Sequence, residues 1–416
     1  MSVIRVTKRL GPGSPSLDRR TFLAGTGSAG FLALAGCGGD DGGTPALAPG
    51  PAPAPAPAPA PSPSPTPGPA TASTRFGVNY FDLFYAQMHA KASFDPLRQL
   101  RELKDRGITL VRFSASPFWP NEWRAWDRAP EEQLKALDQV YDAADTLGMD
   151  LIPTFVWHLA GISDYLGERY SAWGDANSRS RVYFDQHVRR MVQRHLGRAS
   201  LLMWECANEF NVWADLPNGH TLYPVVAVDS GTFAERTSAD DISIGAVQST
   251  YQHFERLVRT YDDRRLIVSG SGIPRENQIR GASGEFGHDT RAELAQAMEQ
   301  TMASEHKTLS VHLYDDQASR YFDANGSTFP ELLGIARQTA DKHGAKLILG
   351  EFGVPKSADD TADRTRFRAM LAEVRAAKVD YALAWNYDWD KQSEWSISAA
   401  NGRDWMLDEL AAANRG

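Results

Sequence analysis

The stretch "DPLRQLRELKDRGITLVRFSA" (residues 95–115) carries two hydrophobic periods in succession, and the change from one to the other sets the fold class. In its first half Leu97, Leu100 and Leu103 recur at helical spacing, Asp95 stands where an N-cap belongs, Pro96 falls in the first turn and Gly107 marks the stop. From Ile108 the pattern becomes a short β-rich apolar run that reaches Arg112 near its end. A helix feeding directly into a strand is part of a βα repeat, so the question becomes how often the chain repeats it.

Working outward, the same signals predict strands at "RFGVNY" (75–80), 108–115, "MDLIPTFVWH" (149–158), "SLLMWECANE" (200–209), "RLIVSGSG" (265–272), "KTLSVHLYD" (307–315), "AKLILGEFG" (345–353) and "VDYALAWNYD" (379–388). Helical patterns follow them over 95–107, 131–148, 178–195, 241–261, 289–304, 329–343, 361–377 and about 403–413. Eight β-then-α units in one span predict an α/β fold, a (β/α)8 TIM barrel over residues 75–416, with a doubly wound open sheet as the alternative.

The residues before 75 follow other rules. Arg5, Lys8, Arg9, Arg19 and Arg20 precede the small apolar stretch "TFLAGTGSAGFLALAG", which is too short to span a bilayer and reads as an export signal over residues 1–36. "DRRTFLAG" resembles the twin-arginine motif, departing from it at Asp18 and Ala24, and "LAGC" resembles the bacterial lipobox, which would make Cys37 a lipidation site and the new N-terminus. A plain secretory peptide is the alternative. "GTGSAG" (25–30) fits a dinucleotide-binding fingerprint, but no strand precedes it and it lies inside the signal. Residues 37–74 hold "PAPAPAPAPAPSPSPTPGPA", a Pro/Ala-rich linker that favours extended polyproline II and cannot build a core. It reads as a stalk between a membrane anchor and the barrel, which places the protein at the cell envelope, on the periplasmic side or the cell surface.

The whole chain has 416 residues, 42% hydrophobic and 23% charged, with a formal charge of −8. Residues 1–36 carry five basic residues and one acidic, so the remainder stands at −12. Such a balance argues against a nucleic-acid partner, which needs a basic face. With Cys37 acylated, Cys206 would be left alone and no disulfide could form within the chain.

In a barrel the site is built at the C-terminal strand ends, and polar residues collect there. They are Arg112 on the second strand, Trp157 and His158 on the third, Asn208 and Glu209 on the fourth, His312 and Tyr314 on the sixth, Glu351 on the seventh, and Trp385 and Asn386 on the eighth. Of eleven tryptophans, Trp119, Trp123, Trp126, Trp157, Trp173, Trp213, Trp385, Trp389 and Trp395 lie at or beyond such ends. Flat aromatic faces suit sugar rings, although about half of these are expected to pack loops instead. Strands four and seven face each other across the mouth, so Glu209 and Glu351 are candidates for the carboxyl pair that glycoside hydrolysis requires.

Taken together, "WECANE", "GEFG", "VRFSAS", "VHLY" and "AWNYD" resemble the clan A glycoside hydrolases, most closely family 5, the cellulase and endo-mannanase type. The resemblance implies a retaining double displacement on a β-linked polysaccharide or oligosaccharide of mannan or glucan type. Glu209 would be the acid/base and Glu351 the nucleophile. Asn208 would bind the hydroxyl beside the reacting carbon, and Arg112 and Tyr314 would keep Glu351 charged and oriented. Glu209, more shielded, would be kept protonated between turnovers. His158 and His312 would line the sugar floor and Trp385 would lie beneath the reacting sugar. The pattern departs from the family's frequent Asn-Glu-Pro at Phe210, after which a loop of about thirty residues, with Trp213 and Tyr223, is expected to shape the leaving-group side. No metal motif is present and this reaction class needs no cofactor. A non-catalytic carbohydrate-binding surface lipoprotein is the competing reading, and exo-action or transglycosylation in the same site is a third.

"WECANEF" offers a second glutamate. Side chains alternate along a strand, so Glu205 and Glu209 share a face but sit roughly 13 Å apart along it, and only one can reach the mouth. Glu205 is therefore expected deep in the barrel, paired through Arg112 or polar groups of the third strand, with Cys206 facing the helices as an inert hydrophobe.

Overall fold

The computed structural model describes residues 74–88, 94–221, 226–302, 307–322 and 326–416. The export signal, Cys37, nearly all of the linker and Tyr223 lie outside the described residues.

The helix predicted at 95–107 spans Pro96–Asp105, and the Asp95 carboxylate accepts a hydrogen bond from the Leu97 N–H at 3.0 Å. Leu100 and Leu103 are buried, and Gly107 takes φ +84°, a left-handed conformation open to glycine at little cost. Ser178, Ser243, Thr290, Thr328 and Asp359 cap the later barrel helices in the same way, each worth about 1 kcal/mol.

Eight strands, β1 (Arg75–Asn79), β2 (Leu110–Ser114), β3 (Asp150–Val156), β4 (Met203–Ala207), β5 (Leu266–Val268), β6 (Thr308–His312), β7 (Lys346–Phe352) and β8 (Tyr381–Ala384), pair in the order β5-β4-β3-β2-β1-β8-β7-β6. Every neighbouring pair is parallel. The β5/β6 seam is closed outside the regular ladder: Thr308 Oγ1 donates to the Ile267 carbonyl at 2.7 Å, and the Ile273 N–H to the His312 carbonyl at 3.1 Å. The architecture is a (β/α)8 TIM barrel, as the periodicity predicted.

Inside the barrel lies an apolar layer of Leu110, Ile152, Met203, Val268, Ile348 and Leu383. Their strand neighbours of opposite parity, such as Val111, Leu151, Trp204, Leu347 and Leu349, belong to the larger core under the helices. Gly77 is required by that packing, since a Cβ there would lie 2.3 Å from the Leu110 carbonyl oxygen. Two of the helices that periodicity did not single out are Pro120–Arg128 and Leu159–Tyr165. Both are short insertions after β2 and β3, and they hold the loop tryptophans Trp123 and Trp126 in the core instead of the cleft.

Candidate active site

Above the apolar layer the barrel interior turns polar around Arg112, which is fully buried. Its Nε donates to Glu205 Oε1 at 2.7 Å, Nη1 to Asn79 Oδ1 at 2.8 Å and Glu351 Oε1 at 3.1 Å, and Nη2 to Asn208 Oδ1 at 2.8 Å. Its guanidinium carbon lies 4.4 Å from the centre of the Trp157 ring. A planar five-donor fork can serve acceptors on several strands at once, which a lysine cannot. Glu205 sits deep as expected, held by Arg112 and by Thr154 Oγ1 of β3 at 2.6 Å. The two partners weighed for Arg112, Glu205 and Glu351, are both engaged. Cys206 faces outward into the helix-side core and is buried.

Glu209 and Glu351 both leave regular strand geometry. β4 ends at Ala207, and Glu209 adopts φ +56°, a left-handed conformation unusual for a side chain of this size. Hydrogen bonds hold it there: its N–H donates to the Gly270 carbonyl at 2.8 Å, and the Asn208 N–H to the Val156 carbonyl at 2.9 Å. On β7 the pairing runs Val311 with Leu349, then His312 with Glu351, so Gly350 is an extra residue. Ile348 faces the barrel interior, and strict alternation would turn Glu351, three residues on, towards the helices. The bulge reverses that parity and aims the carboxylate inward. Only glycine fits the bulge, because a Cβ at 350 would lie 2.6 Å from His312 Nε2.

The inward carboxylates are tied to β6. His312 Nδ1 lies 2.9 Å from Glu209 Oε1 and 3.5 Å from Glu351 Oε1, and the Tyr314 hydroxyl donates to Glu351 Oε2 at 2.7 Å. Trp385 lies in a rim cluster with Phe81, Phe118, Trp119, Trp157, Tyr314, Trp389 and Trp395, and its Nε1 donates to Gln392 Oε1 at 2.8 Å. Arg112, Asn208, Glu209, His312, Tyr314, Glu351 and Trp385 are thus brought to one place.

Two predicted residues sit elsewhere. His158 packs between the Phe118 and Trp119 rings, at 4.5 and 5.0 Å between ring centres, and neither ring nitrogen has a hydrogen-bond partner among the described residues. Burial pushes its pKa down to about 3, with the Arg236 charge acting in the same direction, so the ring is neutral. Trp213 is buried in the main core, in a 3-10 turn at Phe210–Trp213, and does not join the rim cluster. Conversely, Asn79 and Trp157 are wired directly to Arg112. Asn79 was legible as the polar residue ending the first strand, by the rule used for the others.

The loop after Glu209 is clamped to the barrel. Arg236 donates to both oxygens of Asp164, Nη1 to Oδ1 at 2.8 Å and Nη2 to Oδ2 at 2.7 Å, with both side chains buried. Among the described residues, Glu209, His312 and Glu351 form the group whose ligand atoms are close enough to hold a metal ion. The Arg112 guanidinium, 3.1 Å from Glu351 Oε1, opposes a cation there.

A (β/α)8 barrel with two buried glutamates at the ends of β4 and β7, beneath an aromatic rim, has the architecture of a glycoside hydrolase. Residues 77–392 match the family model described as Cellulase (glycosyl hydrolase family 5), and the chain belongs to that family. No curated protein sequence matches it. Among solved structures it is similar to the hyperthermostable endo-1,4-beta-D-mannanase of Thermotoga petrophila RKU-1, with a TM-score of 0.55 and 14% identity over 82% of this chain and 99% of that one. It is also similar to an endoglucanase of Pseudomonas stutzeri, with a TM-score of 0.50 and 18% identity over 82% and 94% of the two chains. An exo-beta-1,4-mannosidase of Opitutaceae bacterium strain TAV5 gives a TM-score of 0.54 and 16% identity, over 82% of this chain and 60% of that one. At these identities the likenesses show the fold alone.

Proposed function

We propose that this family 5 hydrolase is a retaining β-glycosidase acting on β-linked mannan- or glucan-type saccharides. The observation that carries the reading is the spacing of the carboxylates, with one oxygen of Glu209 and one of Glu351 within 4.8 Å of each other. Retaining enzymes hold their carboxyl groups about 5–5.5 Å apart, whereas an inverting enzyme needs about 6.5–9.5 Å to admit water between them. The mannanase and endoglucanase among the similar structures support the substrate class.

In the first step Glu351 attacks the anomeric carbon while Glu209 protonates the departing oxygen. In the second, Glu209 takes a proton from water, which displaces Glu351 from the sugar. Arg112 and Tyr314 bind one oxygen each of Glu351, fixing the nucleophile and stabilising its charge. Asn208 has its carbonyl oxygen on Arg112, which leaves its NH2 to donate to the sugar hydroxyl beside the reacting carbon. His312 orients Glu209, and Trp385 of the rim cluster contacts the reacting sugar. The lipobox-like "LAGC" supports an exported protein anchored at the cell envelope through Cys37, so Cys37→Ser is expected to move the protein from membrane to soluble fraction.

The test is a screen on mannan, glucans, xylan and aryl β-glycosides with the wild type, Glu209→Ala and Glu351→Ala. Each variant is expected to lose several orders of magnitude in turnover with its thermal midpoint near wild type. Full activity in either variant overturns the assignment, and binding of glycans without release favours the non-catalytic reading.

A further inference from the structure

The rim aromatics do not form an open platform. Phe81, Phe118, Trp119, Trp157, Trp385 and Trp389 follow β1, β2, β3 and β8, four strands that are contiguous in the sheet. None of the six is more than 9% exposed. They pack on one another: Phe81 lies 4.5 Å from Trp389 and 5.0 Å from Trp157 between ring centres, and Phe118 4.9 Å from Trp119. A sugar ring held between two aromatic faces needs van der Waals contact of about 3.5–4.0 Å on each side, roughly 7–8 Å in all. The rings are too close together to admit one.

The loop after β4 adds a cover to this wall. Its Ala227 packs against the aromatic cluster, and at Gly231, φ +93°, a Cβ would lie 3.1 Å from Pro120 beyond β2. The loop therefore reaches from the Glu209 strand across to the β2 side, not to the leaving-group side expected from the sequence, and the buried Asp164–Arg236 pair fixes it there.

The line from Glu209 on β4 to Glu351 on β7 divides the barrel mouth into two arcs. The walled arc, β8-β1-β2-β3, contains Trp385, and on the glycosidase reading, which sets Trp385 against the reacting sugar, this arc holds that sugar. The leaving group then departs over β5 and β6. Resting on the glycosidase reading above, we propose that the site is a pocket closed on the side of the reacting sugar. It accepts one terminal sugar and cuts β-linked chains from their non-reducing ends.

The test uses manno- and gluco-oligosaccharides labelled at the reducing end, with products sized at early times. Each labelled chain is expected to shorten by one sugar per step, with monosaccharide as the sole unlabelled early product and aryl monoglycosides cleaved. Unlabelled products of two or more sugars at the earliest times overturn the pocket and leave the glycosidase reading standing. No release from any substrate, with Glu351→Ala indistinguishable from wild type, overturns both. Phe81→Ala and Trp389→Ala, made separately, are expected to raise the ratio of disaccharide to monosaccharide among early products. A loss of packing alone would lower the rate and leave that ratio unmoved, and an unmoved ratio in folded variants of both contradicts the wall.

Discussion

Arg112 carries the largest single consequence at the scale of the residue. It neutralises Glu205 inside the barrel, binds Glu351 at the mouth and fixes Asn79 and Asn208 between them. Arg112→Ala leaves Glu205 buried without its cation, and the expected cost is about 3–5 kcal/mol in urea unfolding, with no rescue by Arg112→Lys. A variant as stable as wild type contradicts this account of the hub. Gly350→Ala makes a sharper cut, because the added Cβ meets His312 Nε2 at 2.6 Å while Glu209 depends on the other ring nitrogen. Turnover is expected to fall by up to about 100-fold, since shifts near 1 Å in catalytic geometry have that effect. Unchanged kcat in Gly350→Ala would remove the bulge from the explanation. The sequence distinguished Glu205 from Glu209 because four residues along the chain put them at different depths, although Glu209 stands beyond the end of β4 in a left-handed conformation. It could place Glu351 at a strand end but not its direction, which depends on a bulge that alternation cannot reveal.

At the scale of the element, the start of the first barrel helix was the most legible, because Asp95 announces itself as a cap, whereas Ser178, Ser243 and Thr290 are caps that the structure adds. The loop tryptophans were less so. Five of the nine predicted for the rim reach it, and Trp123, Trp126, Trp173 and Trp213 pack in the core, since helical insertions after β2, β3 and β4 need apolar faces of their own. The clamp on the loop after β4 was not legible, for Asp164 and Arg236 are far apart in sequence and meet only when the barrel closes. Burial pushes the Asp164 carboxyl upward, against the pull of Arg236, so the pair fixes the loop's position more than it stabilises the fold. Arg236→Ala is expected to destabilise by about 3–5 kcal/mol and to speed proteolysis within residues 211–243, whereas Asp164→Leu combined with Arg236→Met recovers most of the loss. Urea midpoints for the single and paired variants decide it. A paired variant no better than Arg236→Ala contradicts the reading.

Across the whole molecule, the eightfold repeat was legible because each unit carries its own strand, helix and stop signals, and a parallel barrel is the economical closure of eight such units. The packing between units sets the pH response. His158 and His187 are held neutral by burial, with pKa values near 3, and His195 near 4. An unfolded histidine binds its proton near pH 6.5, so the stability these residues contribute is complete above that pH and is lost as the pH falls towards 3–4. The expected loss is roughly 2 kcal/mol per histidine by pH 5, read as a fall in urea midpoint between pH 7 and pH 5 that His187→Gln makes shallower. A flat profile over that range contradicts it. The central claim concerns the reaction itself, that Glu351 forms a covalent bond to the sugar on the face opposite the leaving group and water then displaces it from the face the leaving group vacated. The most direct test is proton NMR of the first product released from an aryl β-glycoside, recorded before mutarotation. The account predicts the β-anomer, by net retention, and first appearance of the α-anomer would contradict it.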